Sequence, residues 1–80
     1  MVSKWFQVWN RPEYREYAFK TGTSVYLLLI IAKQRSGFLC ARANLEMKKK
    51  GLPEFKLLEK IEVRTEKEAE EQINIWKNKE

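Results

Sequence analysis

Val25-Tyr26-Leu27-Leu28-Leu29-Ile30-Ile31-Ala32 is a run of eight apolar residues, and no other stretch of the chain is as apolar. Eight residues fall far short of the ~20 that cross a bilayer and are few for a helix, whose mean length is about 11. A short apolar run bounded by turn residues and rich in β-branched and aromatic side chains reads as a strand. Lys33-Gln34-Arg35-Ser36-Gly37 interrupts it, and Phe38-Leu39-Cys40-Ala41 resumes it, which is the pattern of a hairpin. Neither face of Val25–Ala32 is polar. The sequence therefore predicts a central strand with both faces covered.

The flanking segments follow from this strand. Lys4-Trp5-Phe6-Gln7-Val8-Trp9 has strand composition, and strict alternation puts Trp5, Gln7 and Trp9 on one face and Phe6 and Val8 on the other. Asn10-Arg11-Pro12-Glu13 supplies turn chemistry. Tyr14–Lys20 reads either as a helix with Asn10 as N-cap or as a strand turning at Thr21-Gly22-Thr23. The alternation of Tyr17 with Phe19 favours the strand. Ala43–Pro53 reads as a connection with at most one helical turn, solvated around Lys48-Lys49-Lys50. Glu54–Val63 alternates again, with Phe55, Leu57, Ile61 and Val63 expected on one face. Thr65 and Glu68 form a capping box, and Ala69, Gln72, Ile73 and Trp76 follow at helical spacing, with Ile75 off that stripe. The fold class expected is α+β: an antiparallel sheet of four to five strands with one C-terminal amphipathic helix packed on it, in a single domain spanning residues 1–80.

Composition narrows the chemistry. The chain has no His, and its 11 acids are all Glu. It therefore lacks the usual general base and the commonest metal ligand, so neither catalysis, a cofactor nor a metal site is expected. Cys40 is the lone cysteine. It has no intramolecular disulfide partner, and its place between Leu39 and Ala41 predicts a small buried hydrophobe. The first residues, Met1-Val2-Ser3-Lys4-Trp5, do not open an apolar signal segment, so a cytoplasmic location is expected. Abundant Lys and Glu with few amides lean towards a thermophilic source.

The net charge of +5 is unevenly spread. Residues 1–53 hold ten Lys/Arg against three Glu, a balance of +7, and residues 54–80 hold six against eight, a balance of −2. Three Trp, three Tyr and four Phe accompany these charges. Phe6, Phe19, Phe38 and Phe55 are expected in the core. Trp5, Trp9, Tyr14, Tyr17 and Tyr26 are interleaved with Lys4, Arg11, Arg15 and Lys20, a mixture suited to tracking phosphates and to stacking bases, for which Trp5, Trp9 and Tyr17 are the candidates. Lys33, Arg35 and Arg42 on the hairpin, and Lys48, Lys49 and Lys50 in the connection, extend the candidate nucleic-acid contacts. Ser36–Arg42 faintly echoes the aromatic strand motif of RNA-recognition domains with one aromatic, Phe38, in place.

The expected architecture resembles that of transcriptional-coactivator-type single-stranded DNA-binding proteins, which dimerise through the helix and bind with the sheet. This likeness lies at the level of fold, and fold does not fix function. Two functions are consistent with the sequence. The one expected first is a small basic protein that binds nucleic acid, single-stranded in preference to duplex. The other is a protein-interaction module, an inhibitor or adaptor of the size encoded by viruses and mobile elements, that docks on a larger partner. A homodimer is expected in either case. One helix covers one face of a sheet, and Ile73, Ile75 and Trp76 are more apolar surface than one side of a short helix requires, so these three residues are the expected oligomerisation contacts.

Overall fold

A computed structural model describes residues 5–48 and 50–79. Five strands, β1 (Phe6–Arg11), β2 (Tyr14–Lys20), β3 (Val25–Gln34), β4 (Gly37–Glu46) and β5 (Glu54–Val63), precede one helix, α1 (Glu66–Asn78). Each strand pairs antiparallel with its neighbour in sequence, in the order β1-β2-β3-β4-β5. This is the α+β architecture expected, with β3 at its centre. Tyr14–Lys20 is a strand, paired from Tyr14 opposite Ala32 to Lys20 opposite Tyr26.

The β3–β4 hairpin closes on Gln34 opposite Gly37. A Cβ at Gly37 would overlap the carbonyl oxygen of Val63, so only glycine fits where the hairpin meets the end of β5. Strand β4 runs further than its sequence suggests. Ala43–Glu46, expected to be connection, continues the ladder to Glu46 opposite Val25 because the long partner β3 offers pairing along its whole length. The connection is correspondingly shorter and turns through Gly51 at φ +93°.

Helix α1 begins where the capping box placed it. Thr65 Oγ accepts a hydrogen bond from the Glu68 N–H at 3.1 Å, satisfying one orphan donor of the first turn. Ala69, Ile73 and Trp76, spaced i, i+4, i+7, are its buried residues. They pack on Leu29, Ile31 and Cys40 of the sheet, with Trp5, Tyr17, Phe38 and Val63 around them. Trp76 is 1% exposed and Ile73 2%, so both are occupied within their own chain. The expectation that they serve oligomerisation is thereby corrected. Of the three residues assigned to that role, only Ile75 remains open to solvent.

Two β-bulges change the facing of side chains. In β1, Gln7 pairs with Tyr17 and Trp9 with Glu16, so Val8 is the extra residue. Trp5 and Trp9, expected on one face, are consequently on opposite faces. In β5, Glu59 pairs with Arg42 and Leu57 with Ala43, which makes Leu58 the extra residue. Ile61 and Val63 stay on the helix side, opposite Cys40 and Phe38, whereas Phe55 and Leu57 turn to the other side, opposite Leu45 and Ala43. Both bulges lie in the outer strands, where such irregularities blunt an open edge.

Candidate functional site

The sheet has one face under α1 and one face that no layer covers among the described residues. Because partners across an antiparallel ladder share a face, the pairing register lays out this helix-free face as rows. Arg11, Tyr14, Ala32, Leu39 and Glu62 form the row at one end. Next come Trp9, Glu16, Ile30, Ala41 and Lys60, then Phe6, Ala18, Leu28, Ala43 and Leu57. Lys20, Tyr26, Leu45 and Phe55 complete the other end. The second and fourth strands carry small residues in the middle of this surface, and Ala18, Ala41 and Ala43 are buried by their neighbours. The outer strands carry large ones that remain open: Phe6 is 51% exposed, Trp9 50%, Phe55 54% and Leu57 50%. A trough of about 350 Å³ lies on the β1 side of this face, lined by Phe6, Val8, Ala18, Leu28, Leu45 and Met47 together with Glu16 and Tyr26.

The charged residues of this face are Arg11, Glu16, Lys20, Lys60 and Glu62. Glu16 accepts a hydrogen bond from the Tyr14 hydroxyl at 2.7 Å. Burial, and then this carboxylate, push the Tyr14 phenol up to about 12. Arg11 places its guanidinium 5.9 Å from the centre of the Trp9 ring. Lys20, Lys60 and Glu62 sit at the margins of the sheet.

The residues singled out for nucleic acid do not form one surface. Trp9, Arg11 and Lys20 are on the helix-free face. Trp5 and Tyr17 are on the opposite face and pack against the core. Trp5 lies 5.2 Å from Phe19 between ring centres, and the Lys77 ammonium sits 4.0 Å over the Tyr17 ring. Desolvation in that position lowers the Lys77 pKa. Arg15 is buried and holds the helix, donating to Glu66 at 2.9 Å and to Glu70 at 3.0 Å. Arg42 lies 3.7 Å from Glu59. Lys48 is bonded to Glu54 at 2.6 Å, which raises the lysine pKa and lowers that of the glutamate. Lys33 and Arg35 are exposed at the β3–β4 end of the sheet, and Lys50 at the opposite end. Lys4 and Lys49 lie outside the described residues.

Phe6 and Phe55, assigned to the core from sequence, are instead half-exposed members of the open face, and Val8, Leu57 and Met47 join them. Sequence alternation carries no signal for the bulge that turns Phe55 and Leu57 to this face, whereas Phe6 and Val8 share a face as alternation expects, and what the sequence does not show is that this face lacks a cover. Phe19 and Phe38 are half-buried on the helix side. Cys40 is fully buried, 3.8 Å from the Ala69 carbonyl, and burial raises its pKa. Among the described residues no group of three or more acids and thiols stands ready to hold a metal ion, and no helix is long and apolar enough to cross a membrane.

What the fold and the face define is a one-sheet α+β protein, closed by its own helix on one side and apolar and open on the other. No family model, curated protein or solved structure matches the chain.

Proposed function

We propose that this chain is a protein-interaction module that works through the helix-free face of its sheet and performs no catalysis of its own. The observation that carries this reading is the set of Phe6, Val8, Trp9, Met47, Phe55 and Leu57, all large, apolar and 43% exposed or more, on the helix-free side of the sheet. Exposed apolar surface of this kind marks an interaction site. Half of these side chains are aliphatic or thioether and offer no ring for a base to stack on. Most of the cations singled out from sequence lie elsewhere, and several are already paired with Glu. A chain without His or Asp fits a binding role. Its free, buried cysteine fits a reducing cytoplasmic compartment.

The experiment uses Leu57→Cys. Cys40 is buried, so a benzophenone maleimide labels the new surface thiol selectively. Illumination in an extract of the source cells is expected to join position 57 to a polypeptide, whereas the same label on Lys67→Cys, on the helix, is expected to give no specific adduct. Absence of any polypeptide adduct at position 57 overturns the reading.

A second reading, binding of single-stranded nucleic acid, is favoured by one arrangement: the exposed rings of Phe6, Trp9 and Phe55 with Arg11, Lys20 and Lys60 around them. It predicts quenching of Trp9 fluorescence by an oligonucleotide, with an affinity that falls steeply as salt rises because phosphate contacts release counterions. No quenching at low salt removes it.

A further inference from the structure

We infer that the partner on the helix-free face is a second copy of this chain, packed sheet against sheet about a two-fold axis that runs parallel to the strands and passes over β3. This rests on the reading that the face binds protein, and it names that protein. Two features of the face support self-association: its size and the arrangement of its charges.

Size comes first. Five strands about 4.8 Å apart, with about eight paired residues each rising about 3.3 Å, give a footprint of roughly 600 Å². Protruding side chains make the accessible area larger than the footprint. Each side of a standard protein interface buries about 800 Å², or about a tenth of a small protein's surface. The total here is 6073 Å². One helix-free face therefore matches one half of a standard interface, and a copy of equal size covers it without remainder.

The rows then select the orientation. An axis along β3 lays β1 of one copy over β5 of the other, with the same strand ends together. Arg11 shares its row with Glu62, so each arginine meets the glutamate of the other copy. Trp9 shares its row with Lys60, which brings each ammonium to an exposed indole. Phe6 and Leu57 share the next row and cover one another. On the axis, Leu28 and Ile30 form a ridge flanked by the short side chains of Ala18, Ala41 and Ala43, which leave depth for the other copy to approach. An axis perpendicular to the strands would instead lay β1 on β1 with its ends reversed, and neither charged pairing would form. Packing of two sheets with their strands about 30° apart is the usual aligned geometry.

Sedimentation equilibrium of the full chain at micromolar concentration is expected to give twice the 9.6 kDa of one chain. Leu57→Arg and Phe6→Arg replace exposed side chains, so the circular dichroism spectrum should be unchanged while the dimer weakens by about 30-fold or more. Arg11→Glu should weaken it by up to about fivefold, the scale of an exposed ion pair, and adding Glu62→Arg should restore it. A monomer in the unaltered protein, or a dimer indifferent to both Leu57→Arg and Phe6→Arg, overturns the inference. The benzophenone adduct separates this failure from failure of the parent reading. A monomer whose position 57 captures a polypeptide of different mass leaves a protein-docking face without the second copy, whereas a monomer with no polypeptide adduct removes both.

Discussion

On the helix side of β3, Leu29 and Ile31 lie beneath Trp76 and Ile73 and are essentially sealed from water. On the other side, Leu28 and Ile30 are sheltered by side chains of the neighbouring strands and by no second layer among the described residues. The two sides of this strand are equally apolar. The difference between them lies in what packs on each: among the described residues α1 lays its apolar stripe on one face, and no second layer lies on the other. Apolarity on both faces of a strand thus shows where a sheet has its centre, and it does not show that the same chain closes both faces. Stability should accordingly reside on the closed face and association on the open one.

The widest separation between the faces is expected from the two tryptophans that lie on either side of the sheet. Trp76→Ala removes a side chain that is 1% exposed and leaves a cavity beneath α1, so it should cost about 3–5 kcal/mol in urea denaturation. Trp9→Ala on the open face should stay within about 0.5 kcal/mol when measured at protein concentrations low enough to suppress association. Equal losses would mean that the open face is as important to the fold as the closed one.

Gly37→Ala tests the join between the hairpin and β5. The added methyl meets the backbone carbonyl of Val63, which has no flexible end to give way, and about 1–3 kcal/mol should be lost. Retained stability would show that β5 can shift, and with it the open face. Arg15→Met sharpens the comparison from the other side. Its guanidinium ties β2 to α1 through Glu66 and Glu70, but both carboxylates are more than half exposed and remain solvated when the arginine is lost. Roughly 1 kcal/mol is expected, visible as a lower denaturation midpoint.

The smallest effect is a titration on the open face. The Tyr14 phenol is raised to about 12 from 10.0, so between these values the folded chain holds a proton that the unfolded chain has released. This contribution is therefore fully present below pH 10 and is lost as the pH rises from 10 towards 12. Solvent screening of a partly exposed group keeps it to no more than about 1 kcal/mol. Absorbance at the phenolate band should show a late component near pH 12 that Tyr14→Phe abolishes. Its loss in Glu16→Gln would identify the carboxylate as a necessary cause, and its persistence would leave burial as the cause.

Much of the fold follows from signals that are local in the chain. Val25–Ala32 marks the central strand because an unbroken apolar run needs neighbours on both sides. Thr65 and Glu68 mark the start of α1 because a capping box satisfies its own donors within four residues. Cys40 lies buried where its apolar neighbours on either side put it. The faces were decided only in three dimensions. The bulges at Val8 and Leu58 depend on where β2 and β4 place their ladder groups, so no local pattern in β1 or β5 announces them, yet the first moves Trp9 and the second moves Phe55 and Leu57 across the sheet. The same holds for charge. Arg15 and Arg42 look like free cations in sequence because their glutamates are distant along the chain or arrive on another strand. Sequence by itself determined which elements form and in what order, since hydropathy and capping act over a few residues. Tertiary structure decided which side chains remain open, because exposure depends on what the neighbouring strand or helix brings to the same face.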